Sequence, residues 1–225
     1  QGLALARLLQ LASPALPVGA YSYSQGLEAA VEAGTVRDAA GARRWIGDML
    51  RFSMARLEAP LWRRLYAAWE AGDLGQVLEC NDIFLCTRET AELRAETLQM
   101  GWSLRCLLLE LGEFETAALE RLQVPTEISF PAAFSFAARE WGIAERDALT
   151  AYVWSWLENQ VMAAVKAIPL GQTEGQRLLA ALGPQLVLIS DEEAAIGLDK
   201  INNYCHGLAI ASSIHETQYS RLFLS

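Results

Sequence analysis

An all-α domain of roughly eight to ten helices is what this sequence predicts, and three observations predict it. Apolar residues recur at three- and four-residue spacing along nearly the whole chain, the mark of helices with one buried face. Ser, Thr, Asp and Pro stand where such helices would begin and Gly where they would end. The only strand-like run, QLVLIS at 185–190, is short and continues a helical pattern. No Pro/Ser/Gly-rich linker and no shift in composition divides the 225 residues, so residues 1–225 read as a single domain.

Taken in order, residues 3–12, LALARLLQLA, form the first helix, which must stop before Pro14. Residues 13–28, SPALPVGAYSYSQGLE, break the rhythm: prolines, tyrosines, serines and glycines crowd together, and Glu28 is the only ionisable carboxylate. Ser22 followed by Gln25 predicts a capping box, with Leu27, Ala30 and Val31 as the inward stripe and Gly34 as the stop. In that register Ser24, Gln25, Glu28 and Glu32 share an outward face, with Tyr21 just ahead of it. Asp38 predicts the cap of a helix running toward Leu57, and Pro60 the first turn of another that ends near Gly72. Asp73 and Thr87 are the expected caps of two more. Leu93, Thr97, Met100, Leu104, Leu107 and Leu111 make one face of the second.

Pro131 opens a helix that Gly142 closes. Residues 145–166 are apolar on almost every side, which predicts a central helix, and Asn159 and Gln160 inside it are expected to be satisfied core amides. Thr173 with Gln176 repeats the capping signal, and residues 191–206 predict a loop. A terminal helix would set His215, Tyr219 and Leu222 at i, i+4 and i+7. Leu222, Phe223 and Leu224 then form an apolar knob that docks on its own core or in a partner's groove.

Net charge is −9, which argues against nucleic acid as a partner, because phosphate binding needs clustered Lys and Arg. Hydrophobic residues make up 52% and charged residues only 20%, so either the core is deep or partners cover part of the surface. No charge-free apolar run reaches the ~18 residues of a membrane span. The four cysteines lack Cys-x-x-Cys spacing and read as reduced thiols of a cytoplasmic protein. Gly-x-Gly-x-x-Gly, P-loop, His-Glu-x-x-His and Gly-x-Ser-x-Gly patterns are all missing, and no catalytic set assembles. Cys205, His206 and His215 gather ligand types that suit nickel, zinc or copper. Three ligands at irregular spacing fall short of a tetrahedral site, unless a dimer shares them. A small-molecule pocket lined by Tyr21, Glu28 and Lys166 is the other chemical reading. Against both stands a docking platform: prolines preset its shape, and Tyr and Ser suit an interface.

Four blocks resemble the UreF family of urease accessory proteins: LLQLASPALPVGAYSYSQGLE at 8–28, ETAELRAETLQMGWSL at 89–104, VKAIPLGQTEGQ at 165–176 and ASSIHETQYSRLF at 211–223. The resemblance covers essentially the whole chain. It implies an all-helical, dimer-forming cytoplasmic protein with no reaction of its own, working as a chaperone of urease maturation. Such proteins join the accessory protein UreD/UreH, recruit the GTPase UreG and act on apo-urease so that nickel enters its site. They are proposed to regulate GTP hydrolysis or to gate nickel transfer. The resemblance implies no cofactor for this chain: nickel is handled by the complex, and GTP and Mg by UreG. Carried over by position, the partner-binding residues are Tyr21, Ser24, Gln25, Glu28, Lys166, Gln172, His215, Glu216, Gln218, Tyr219 and Arg221, with the C-terminal part about 207–225 as one contact segment. Leu224 stands where the family usually has a basic residue, and 197–207 matches the family poorly. The alternative is a nickel metallocarrier using Cys205, His206 and His215.

Overall fold

In the computed structural model, residues 2–191 and 201–225 are described, and they form helices and no strand. Helix α1 spans Gly2–Ala12, and a 3-10 turn covers Ala20–Ser22. Then come α2 (Leu27–Glu32), α3 (Ala39–Met49), a π-helical stretch (Leu50–Glu58), α4 (Ala59–Ala71), α5 (Leu74–Cys86) and α6 (Ala91–Glu110). The second half holds α7 (Thr116–Leu122), α8 (Phe130–Glu140), α9 (Glu145–Ala167), α10 (Gln172–Asp191) and α11 (His206–His215). No helix among the described residues is long and apolar enough to cross a membrane.

Local chemistry accounts for most of the boundaries. The carboxylates of Asp38 and Asp73 accept from Gly41 N–H at 2.7 Å and Gln76 N–H at 3.0 Å, satisfying donors that a helix start leaves open. Gly72 and Gly142 adopt left-handed φ of 68° and 64° and end α4 and the α8 turn. Helix α9 is the axis, as its all-round apolarity predicts: α1, α2, α3, α4, α8 and α10 all pack on it. Trp62, Phe134 and Tyr152 meet at the centre, with ring centroids 5.4 to 6.4 Å apart. Helix α6 crosses the start of α8 at Gly101, where a Cβ would lie 2.1 Å from Ile128 O and 2.7 Å from the Ser129 carbonyl carbon.

Several expectations are corrected. Ser22 does not cap a helix: the chain continues through Gly26 before α2 begins at Leu27. Thr87 ends α5, and the cap of α6 is Thr90, whose Oγ1 accepts from Leu93 N–H at 3.2 Å. Helix α10 starts at Gln172, so Thr173 lies inside it. The helix from Asp38 does not stop before Pro60 but passes through the π-helical stretch into α4. Asn159 is a satisfied amide, donating to Tyr23 O at 2.9 Å, whereas Gln160 is fully buried with neither amide atom paired among the described residues. The terminal helix ends at His215, so Tyr219 and Leu222 do not continue its face. The loop expected at 191–206 lies partly outside the described residues; 201–205 are irregular.

Candidate partner-docking site

The proline–tyrosine segment and the chain's last residues build one structure. Gln25 has φ 51°, the only positive value at a non-glycine among the described residues, and Gly26 follows at 76°. Two left-handed residues in succession turn the chain sharply into α2. A left-handed Gln costs on the order of 1 kcal/mol, and its side chain shows what offsets that. Gln25 Nε2 donates to Glu96 Oε1 at 2.7 Å, and Trp156 Nε1 donates to Gln25 Oε1 at 2.7 Å. Gly26 is needed for contact as well as for φ, since a Cβ there would lie 3.1 Å from Ser212 N on α11.

Past this turn, Glu28 points inward and receives the tail. Its Oε1 accepts from Leu222 N–H at 2.7 Å and its Oε2 from Phe223 N–H at 3.0 Å. His215 Nε2 lies 3.3 Å from Glu28 Oε2, and its Nδ1 lies 2.7 Å from Glu92 Oε2. Glu92 Oε1 pairs with Arg221 Nη1 at 2.5 Å. The rest of the Arg221 guanidinium donates to Gln218 O and Glu216 O at 2.9 and 2.6 Å, closing the turn after α11. Beyond it Leu224 N–H donates to Ser22 O at 2.8 Å, while Ser24 donates to Ser225 O from both N–H and Oγ, at 2.8 and 2.6 Å. Phe223 is buried, and Lys166 Nζ sits 5.7 Å from its ring centroid.

Glu96 anchors the other end of the network, accepting from Ser225 Oγ at 2.8 Å as well as from Gln25. Burial pushes its carboxyl up to about 7. The hydrogen bonds from Gln25 and Ser225 and the charge of Arg88 oppose that rise, and the charge of Glu58 adds to it. Next to it Tyr152 donates to Glu58 Oε2 at 2.8 Å, and Arg88 Nη1 pairs with Glu58 Oε1 at 3.1 Å. Burial, then the Glu58 carboxylate, holds the Tyr152 phenol well above its ordinary range.

The outward face expected of Ser24, Gln25 and Glu28 is therefore corrected. Ser24 and Glu28 are buried and Gln25 half-buried, because α2 starts four residues later than the capping-box reading puts it, with Gly26 and not Ser22 at its cap. His215 is wholly buried and Gln218 half-buried. The exposed members are Tyr21, Lys166, Gln172, Glu216, Tyr219 and Arg221, and Tyr219 has no shielding at all, at 105% relative exposure. Gln172 stands apart at the start of α10, outside the network. Leu224 exposes its side chain while its N–H is used, so this departure from the family pattern alters the outer surface and not the docking bonds.

The residues of neither chemical reading all come together within one chain. His206 opens α11 and His215 closes it, so nine residues of helix keep them roughly 14 Å apart. Cys205 is buried, burial pushes its thiol up to about 11, and His215 is engaged by two carboxylates. Among the described residues no three His, Cys, Asp or Glu side chains gather to hold a metal. A cavity of about 330 Å³ beneath the proline segment does join Tyr21 and Lys166, with Glu58, Arg88, Glu96 and Tyr152 in its wall, but Glu28 faces the tail instead. Glu92 and Glu96 are the residues that local reading misses. Their i, i+4 spacing places both on one face of α6, which is the signal that points to them.

The family model described as UreF matches residues 36–183 of this chain. Three curated relatives, each named urease accessory protein UreF, are similar along nearly the full length. That of Azoarcus sp. (strain BH72) is 58% identical over 99% of this chain and 96% of its own. That of Dechloromonas aromatica (strain RCB) is 52% identical over 99% and 98%. That of Methylobacillus flagellatus (strain ATCC 51484 / DSM 6875 / VKM B-1610 / KT) is 48% identical over 98% and 97%.

Proposed function

This chain belongs to the UreF family of urease accessory proteins, and from that premise we propose that it assists urease maturation as a non-enzymatic docking scaffold. One observation carries the reading: Tyr219, fully exposed, rides on a turn whose backbone is pinned from beneath by Glu28, Arg221 and Ser24. An aromatic held outward by a locked segment loses little freedom when a partner covers it. Leu222 and Leu224, 71% and 63% exposed, add apolar surface to the same terminal segment.

The proposed contact residues divide by role. Tyr21, Lys166, Gln172, Glu216 and Tyr219 touch partners. Ser24, Gln25, Glu28, His215 and Gln218 set the shape of the surface from inside, and Arg221 does so from its edge. All three nitrogens of Arg221 are committed to its own chain, so it serves the turn and not a GTPase's phosphates. The partners are UreD/UreH, UreG and apo-urease, the working form is a cytoplasmic homodimer, and nickel, GTP and Mg are handled by the assembled complex.

Co-purification with UreD/UreH and UreG, with and without GTP, tests this. The wild-type chain is expected to hold both partners. Tyr219→Ala is expected to lose at least one while its thermal midpoint stays within a few degrees, because an exposed side chain contributes little to the core. Full retention of both partners by the variant would refute the assignment, as would its unfolding.

A further inference from the structure

Away from that surface, α3, the π-helical stretch and α10 enclose a groove of about 720 Å³ that shares no residue with the cavity beneath the proline segment. Its floor is apolar and buried, with Leu50, Leu182 and Ile189, and Leu188 stands on its rim at 71% exposure. Three exposed arginines line it: Arg43, Arg44 and Arg51. Nine of the other arginines pair with carboxylates, among them Arg7 with Glu113, Arg94 with Glu127, Arg121 with Glu140 and Arg177 with Glu174, while Arg37 and Arg105 donate to backbone carbonyls. None of the three in the groove has a carboxylate within ion-pair reach among the described residues. Unmatched cations gathered over an apolar floor run against the grain of a chain whose net charge is −9.

We propose that this groove docks an acidic amphipathic helix of another protein. Arg44 and Arg51 are seven residues apart, roughly 10 Å along the axis, and Gly47 lies between them without a side chain. A helix lying along the groove therefore meets them with two carboxylates two turns apart and sets its apolar stripe on Leu188 and Ile189. Asp48 projects from the same lining and disfavours a third carboxylate midway, which gives the site a register. A second copy is the poorer occupant. A two-fold contact centred here would face the same arginines with each other, and like charges repel. Nucleic acid would leave the apolar floor and Leu188 unused.

The probe is a labelled three-heptad peptide with Glu at seven-residue spacing beside a leucine stripe, titrated by fluorescence anisotropy against the full chain. Binding is expected, weakening as salt rises, and falling about tenfold or more in both Arg44→Glu/Arg51→Glu and Leu188→Asp. The same peptide with Lys for Glu is expected not to bind. No binding, or equal binding by the variants, overturns the proposal. So does displacement by inorganic phosphate with no effect of Leu188→Asp, which marks a plain anion site. Sedimentation of Arg44→Glu/Arg51→Glu gives the last arm: a dimer that becomes a monomer assigns the groove to a second copy and overturns the helix. Tyr219→Ala should bind the peptide like wild type, so the outcome here stands apart from that of the tail surface.

Discussion

Replacing Glu28 with Ala removes the acceptor on which the tail hangs. Two backbone N–H groups, of Leu222 and Phe223, donate to this one carboxylate at 2.7 and 3.0 Å. Hydrogen bonds to a charged acceptor contribute about 1.5–3 kcal/mol each, so the pair is worth at least about 3 kcal/mol. The segment is still held by the buried Phe223 ring, about 2 kcal/mol, by the backbone bonds between residues 22–24 and 224–225, by Ser24 Oγ and Glu96 at Ser225, and by the Arg221–Glu92 pair. A loss of about 3 kcal/mol raises the open population of the segment roughly a hundredfold. Amide hydrogen exchange at Leu222 and Phe223 reads this directly, with far-UV circular dichroism to show that the helices persist. Glu28→Gln keeps one acceptor oxygen and is expected to fall between the two. If both amides in Glu28→Ala exchange within about threefold of wild type, the carboxylate does not hold the tail and the internal-strap argument fails.

Three further outcomes follow from the same geometry. Glu96, raised to about 7 in the folded chain, favours the fold most below the ordinary carboxylate range, and that contribution is lost as pH rises through about 7. Glu96→Gln should therefore gain stability relative to wild type between pH 5 and 8, on the order of 3 kcal/mol, in paired denaturant titrations; parallel pH curves would refute this. Gly101→Ala should cost about 3 kcal/mol or more by the same measurement, because the new methyl meets the Ile128–Phe130 backbone and not a movable side chain; an unchanged midpoint would mean that α6 and α8 do not cross there. Of the thiols, exposed Cys86 should react readily with a disulfide reagent at pH 8. Cys80 and Cys205, both pushed up to about 11 by burial, should stay protected until the chain unfolds.

Most of the helices, and many of their ends, are legible in the sequence, because those are local matters. Asp38 reaches Gly41, three residues on, Gly72 needs only its own φ, and the all-round apolarity of residues 145–166 suffices to make α9 the axis. The tertiary structure alone decided which side Glu28 faces. Local spacing placed it outward with Ser24, yet its partners are Leu222, Phe223 and His215, and Ser24 meets Ser225 across 201 positions of chain. Two left-handed residues at 25–26 turn α2 so that a polar face becomes an interior seam, and no pattern of nearby residues encodes that rotation. A buried carboxylate needs donors wherever the chain can supply them, and here they come from its far end.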